Sequence, residues 1–342
     1  MTGTTQMLII ATMGLGPHKI LIGSFTNHRR KIMKKTNLFA ATALSVVMAT
    51  GANAATIGYL SSNFDDNFLT LMREAAKAHT EERGHTFQIE DAREDVGTQL
   101  SQVQNFIASG VDALVVTAVS AAATPQMTKM ANAAGIPIVY VNRMPADSAS
   151  LGGTSTFVGS NETWSGTLAA FELCNLAGGT GTAVMLQGIL SNEAAVTRSK
   201  DFEEVLALSM CNGIKLEAVE VGSWQRSKGN DIVSNWLSSG MKIDIVFANN
   251  DEMGLGAVQA FKNAGISMDD VLIGSVDATA DALASMKAGE LDVTVFQNAA
   301  GQATGGIDAA IAAINGESLP NAITIPFELV TPSNMADYMG AN

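Results

Sequence analysis

After residue 54 the chain alternates between short apolar runs rich in β-branched residues and longer stretches of helical spacing. The runs at 111–118 and 138–141 are apolar nearly throughout, as strands buried on both faces of a parallel sheet must be. Such alternation leaves little freedom: parallel strands joined by right-handed helical crossovers. Strands are expected at 55–60, 87–90, 111–118, 138–141, 183–187, 216–221, 243–247, 271–276 and 291–296, with a last extended run over 323–330. Helices are expected between them, including one capped by Thr98 and one over 301–315. A Gly-rich break at 147–153 interrupts the rhythm. The chain therefore reads as two successive α/β sets, each large enough for a doubly wound domain.

In open α/β sheets, ligands bind beyond the carboxyl ends of the strands. The side chains at those ends form a consistent group: Asp66 and Phe68, Thr117, Asn142 and Arg143, Asn192 and Arg198, Trp224, Asn250, Asp277 and Gln297. Each also has a structural reading. Asp66 and Asp277 would cap helices, Trp224 would pack, and the arginines would be solvated. Taken together, the residue types suit a polyhydroxylated ring. Aromatic faces stack on its C–H surface, and planar Asp, Asn and Arg groups bridge neighbouring hydroxyls. Within 249–251, Asn250 is the expected ligand contact, Asp251 the expected cap of the following helix, and Asn249 a support for the backbone of the joint.

Composition narrows the function further. The formal charge is −13, and the first 54 residues contain six basic side chains and no acid, so the body is more acidic still. Nucleic acid is excluded as a partner by that balance. Met33-Lys34-Lys35, the apolar stretch 38–49 and Ala52-Asn53-Ala54 have the parts of a secretory signal. Residues 33–54 are read as that signal, cleaved near Ala54-Ala55. Residues 1–32 are read as an upstream extension created by the choice of start codon. A twin-arginine signal at Arg29-Arg30 is the alternative. The body has no apolar run of the ~18–20 residues that a membrane helix needs.

Cys174 and Cys211, in an exported chain, form a disulfide or remain two buried thiols. With no histidine nearby they do not make a zinc site. Catalysis is poorly supported. His79 and His85 lie on or after a surface helix, and His18 and His28 precede the cleavage site. No G-x-G-x-x-G follows the first strand, and the Gly178–Thr182 stretch precedes a strand, so it reads as a turn.

Several motifs in order, DDNFLTLMR, GVDALVVTAV, AGIPIVYVNR, LQGILSNEAAVTR, ANNDEMGLGAVQA, GSVDATADALASMKAGELDVTVFQ and IPFELVTP, resemble the periplasmic sugar-binding proteins of ABC importers. The type is that of ribose, galactose and inositol. The resemblance runs from about Thr56 to Val330, and the SNEAAVTR segment, the cysteines and QNAAGQ are most similar to the myo-inositol and rhizopine branch. It implies a type I periplasmic binding protein with two Rossmann-like domains and a three-segment hinge. The amino-terminal domain would comprise 55–158 and 299–325, and the carboxy-terminal domain 159–298 and 326–342.

It implies no enzyme, no cofactor and no metal, since the calcium loop of the galactose form is missing between Leu173 and Val184. It also implies a monomer that delivers a sugar or polyol to a membrane permease, or serves chemotaxis. The site residues carry over by position. Thr117 stands where the galactose form has an asparagine, and Asn142 departs from the aspartate of the ribose form. Asn192 and Ala194 replace a histidine and an aspartate, which shifts the expectation from galactose or glucose toward a cyclitol. A regulator of the lactose-repressor type shares the core but needs a helix-turn-helix where this chain has a signal. A periplasmic enzyme is the remaining rival.

Overall fold

The computed structural model describes residues 54–342. The upstream extension and the signal segment, Ala54 apart, lie outside the described residues.

Six strands form a first, all-parallel sheet: β1 (Thr56–Ser61), β2 (Thr86–Asp91), β3 (Ala113–Val116), β4 (Ile138–Val141), β5 (Ser155–Gly159) and β11 (Ala322–Thr324). Their order is β11-β5-β4-β3-β1-β2. Because strand side chains alternate, Ala113 and Val115 of β3 face the layer of α1 (Asn67–Glu82) and α9 (Ala299–Ile314). Leu114 and Val116 face the layer of α2 (Val96–Ser109) and α3 (Thr124–Ala134). Gly306 lets α9 lie close to this sheet: a Cβ there would fall 2.4 Å from Val141 Cγ1. Alanine at 306 would push the helix off the sheet.

The second lobe repeats the plan. Strands β6 (Thr180–Gln187), β7 (Gly213–Val221), β8 (Ile245–Ala248) and β9 (Leu272–Gly274) run parallel in the order β7-β6-β8-β9. Bridges Gly274–Val293 and Asp277–Phe296 attach β10 (Thr294–Gln297), and β12 (Phe327–Val330) pairs with β10 antiparallel. Helices α4 (Glu162–Leu176), α5 (Glu193–Leu206), α6 (Arg226–Ser238), α7 (Asp251–Asn263) and α8 (Ala280–Lys287) cover both faces. Val184 and Leu186 of β6 enter one core, Ala183 and Met185 the other.

The structure departs from the sequence expectations in four places. Strand β5 lies just after the Gly-rich break, where no strand is legible. Helix α2 is capped by Asp95, whose carboxylate accepts from Thr98 N at 2.6 Å; Thr98 itself is already helical. The run 323–330 is divided between the two sheets, with Pro326 at the division. Proline has no N–H to give to a ladder, so pairing stops there. The final pairing is antiparallel, not parallel.

The chain thus passes between lobes after β5, after β10 and after β11. Cys174 and Cys211 are joined in a disulfide with Cα atoms 5.7 Å apart, tying the end of α4 to the turn after α5. Among the described residues no helix is long and apolar enough to cross a membrane.

Candidate functional site

The carboxyl ends of both sheets face one another, and the loops and first helical turns that leave them carry most of the candidate residues, with Arg198 farther along α5. Ten of the eleven border one cavity of about 40 Å³ between the lobes. That is roughly three times the space one water needs, a narrow slot. Thr117 is the exception. It is fully buried, and its hydroxyl lies 3.5 Å from the Tyr59 hydroxyl in the core of the first lobe.

From the first lobe, Asp66 caps α1, with Oδ1 accepting from Leu69 N at 3.0 Å. Its other oxygen is left for the cavity, and Phe68 follows in the first helical turn. Arg143 donates to the Ala118 carbonyl at 3.1 Å and to Glu94 Oε1 at 3.1 Å. Asn142 holds φ +67 and donates to Gln302 Oε1 at 3.3 Å.

From the second lobe, Arg198 is 3% exposed and almost fully committed. Nε and Nη2 grip Glu162 at 2.8 and 3.1 Å, Nη1 donates to the Asn249 carbonyl at 2.6 Å, and Nη2 reaches Gln297 Oε1 at 3.2 Å. Burial alone would lower the pKa of the guanidinium, but the Glu162 charge beside it leaves the net shift upward. Gln297 Nε2 is buried without a partner. Trp224 lies so close to Gly188 that a Cβ there would stand 2.1 Å from the indole. With its amide oriented to satisfy both neighbours, Asn192 accepts from Trp224 Nε1 at 3.1 Å and donates to the Val119 carbonyl across the cleft at 3.2 Å.

The capping roles at 249–251 differ from expectation. Asn250 is the N-cap of α7, with Oδ1 accepting from Met253 N at 3.1 Å, and it also lines the cavity. Asp251, expected as the cap, instead turns to the neighbouring strand ends. It accepts from Ser275, Thr294 and both the amide and hydroxyl of Thr279, at 2.5–3.1 Å. The residue after an N-cap is already helical, so its side chain does not fold back onto the first-turn amides. Asn249 accepts from Gly188 N at 3.0 Å and so braces two adjacent strand ends.

The charge balance of the cavity follows. Each arginine is neutralised by a glutamate behind it, Arg143 by Glu94 and Arg198 by Glu162. Asp66 and Asp277, one from each lobe, remain. Asp277 is 4% exposed and its carboxylate accepts no hydrogen bond among the described residues. Burial and the nearby Asp251 charge hold its pKa well above the carboxylate range, and burial also raises that of Asp66.

Sequence reasoning missed Glu94 and Glu162. Glu94 follows β2, and Glu162 follows β5, a strand not legible in the sequence; what marks both is that a buried arginine needs a counter-ion. Backbone strain marks the same region. Among the described residues, the non-glycine residues with φ between +53° and +134° are Arg93, Glu94, Asn142, Ser223, Trp224, Asp277 and Ala278, and all lie in loops at this edge.

Above the slot opens a wider mouth of about 380 Å³, sharing Asp66 and Trp224 with it. One bond crosses the mouth: Asn67 Nδ2 of the first lobe donates to Glu252 Oε1 of the second at 2.7 Å. Arg226 holds Glu252 at 2.8 Å through two nitrogens. Among the described residues no cluster of three or more His, Cys, Asp or Glu side chains is placed to hold a metal ion.

Comparison with known proteins gives four further findings. Residues 57–318 match a family model described as a periplasmic binding protein domain. A Rhizobium meliloti protein named "Putative rhizopine-binding protein" is 51% identical over 88% of this chain and 97% of its own length. The ribose import binding protein of Escherichia coli is 28% identical over 87% of this chain and 98% of its own. A solved ABC transporter solute-binding protein from Bacillus halodurans, with myo-inositol bound, is 37% identical; it aligns with a TM-score of 0.79 over 86% of this chain and all of its own.

Proposed function

The chain belongs to the periplasmic binding protein domain family, and on that premise we propose that it captures a cyclic polyol or sugar, with a myo-inositol-like ring preferred. It holds the ring between its lobes and hands it to the permease of an ABC importer. The observation that carries this reading is the pair Asp66 and Asp277. Two carboxylates, one from each lobe, face a slot whose arginines are already neutralised. Hydroxyls both donate and accept, so one ring can donate to these carboxylates and accept from Gln297 Nε2, which lacks a partner. Phe68 and Trp224 supply the apolar faces on which the ring lies.

The lobes swing about three segments near Gly159, Gln297–Ala299 and Ile325–Glu328. A ligand that touches both walls favours the closed arrangement, so binding shifts the population toward it. Few direct bonds hold the closed form. Asn67–Glu252 and Asn192–Val119 are two of them, and they leave the ligand as the main bridge. The closed surface is what the permease reads. Export with cleavage near Ala55 places the mature protein in the periplasm, and mass spectrometry of its amino terminus tests that.

Titration calorimetry against myo-inositol, scyllo-inositol, ribose, galactose and glucose tests the ligand. Binding of none of the five overturns the site assignment. The similarity to a ribose import binding protein supports the second reading, a pentose or hexose ligand; a tighter ribose or hexose isotherm would select it. Retrieval of a chemoreceptor in a pull-down would add chemotaxis to transport.

A further inference from the structure

Where the chain leaves the second lobe for α9, its backbone is met by a side chain from residue 342. Asn342 Oδ1 accepts from Ala299 N at 3.0 Å. Its Nδ2 donates to the Asp277 carbonyl at 2.8 Å and to the Gln297 carbonyl at 2.8 Å. One primary amide thus uses its acceptor and both donor hydrogens on three main-chain groups.

Those three groups are not ordinary ones. Asp277 and Gln297 both line the cavity. Ala299 is the first residue of α9, behind the cap Asn298, and its N–H has no partner inside the helix. Asp277 sits at φ +134° and Ala278 at +53°, a backbone course that persists only where neighbours hold it. The bridge Asp277–Phe296 holds one side of that turn, through Asp277 N on the Val295 carbonyl at 2.9 Å and Gln297 N on the Asp277 carbonyl at 3.2 Å. Asn342 holds the other side. The tail that delivers Asn342 is itself docked: the Tyr338 ring packs 5.1 Å from that of Phe296, and its hydroxyl donates to Glu328 at 2.9 Å.

We propose that Asn342 is a positioning residue of the ligand site. It touches no ligand. It fixes the peptide planes of Asp277 and Gln297, hence the aim of both side chains into the slot, and it ties them to the start of α9 at the hinge. This inference rests on the reading of the slot as the polyol site, which also supplies the probe.

The test uses the full chain with Asn342→Ala and Asn342→Asp. Aspartate has the same shape and keeps an acceptor for Ala299 N, but it turns oxygen lone pairs on the two carbonyls. A side chain that merely fills space would tolerate it. Expected are myo-inositol affinities weaker by about fivefold or more in both variants by calorimetry. Amide exchange at Ala299 in the sugar-free protein is expected to accelerate in Asn342→Ala and stay slow in Asn342→Asp. Wild-type affinity in Asn342→Asp, or an unchanged Ala299 exchange rate in Asn342→Ala, overturns the proposal. If the wild-type protein binds no member of the polyol panel, the functional reading fails and the positioning role falls with it, while the exchange measurement still decides whether Asn342 holds the start of α9.

Discussion

Replacing Asp277 by asparagine should move stability and affinity in opposite directions. The carboxylate is 4% exposed, accepts no hydrogen bond among the described residues, and lies near Asp251 and Asp66. Its charge is therefore desolvated, offset in part in the sugar-free protein by Arg198, whose own charge is already paired with Glu162. An amide of the same shape removes that cost, and a gain of about 1 kcal/mol in a chain of this size raises Tm by roughly 2–4 °C. In the complex the same carboxylate can accept from two ring hydroxyls. Bonds to a charged acceptor are stronger than neutral ones by about 1–1.5 kcal/mol each, so two of them amount to about 2–3 kcal/mol. That corresponds to a Kd larger by about 30- to 150-fold. The assay is calorimetry with the tightest polyol of the panel, beside thermal melts without sugar at pH 7.5. A variant that binds within about threefold of wild type, or melts several degrees lower without sugar, would refute the assignment of Asp277.

Other substitutions probe other parts of the site. Arg198→Met strips Glu162 of its partner in a buried setting and should cost about 3–5 kcal/mol in urea unfolding, with much of it recovered in Arg198→Met/Glu162→Gln. The Glu162 pair thus gives Arg198 a part in holding the fold beside its place on the cavity. Asn67→Ala should weaken myo-inositol and scyllo-inositol equally, by about 0.5–1.5 kcal/mol, because its bond to Glu252 fixes the closed lobes and not the ring. Burial pushes the Asp251 carboxyl up from 3.8 to about 6, so the folded form holds a proton that the unfolded chain releases. Stability without sugar should accordingly fall as pH rises from about 4 through 6, and melts at pH 5 and 8 check the sign. Reducing Cys174–Cys211, with its separation of 37 residues, should cost about 4 kcal/mol on loop-closure grounds while leaving affinity intact, since the pair lies at the ends of α4 and α5 away from the cleft.

Much of the architecture is legible because periodicity and burial follow the same physics. An apolar run such as residues 111–118 has no stable place except inside a sheet covered on both faces. The cavity residues are legible for a topological reason: parallel strands all finish at one edge, so polar residues after strands converge whatever the helices do. Thr117 shows where that logic fails. It follows β3 like the others, but its side chain turns inward to Tyr59, and nothing in the local sequence gives that orientation. The capping of α7 by Asn250 in place of Asp251 was hidden for a similar reason. Both are good caps, and the choice was made by Ser275, Thr279 and Thr294 arriving from distant strands. Asn342 lies far along the chain from the residues it holds, and spacing carries no trace of such a contact.

The strand order of the first sheet also bears on how the molecule is made. Helix α9 supplies Ala303, Ile307 and Ala310 to the core over Val115, Val139 and Val141, and β11 lies outside β5. A chain emerging amino end first thus has α1 on this face, but the part that α9 covers stays bare until everything between Gly159 and Ala299 has been synthesised. Pairings of such long range close slowly, and the first lobe has no complete core of its own before then. A lobe completed late stays open longer, and an open chain is the form that a membrane pore can thread.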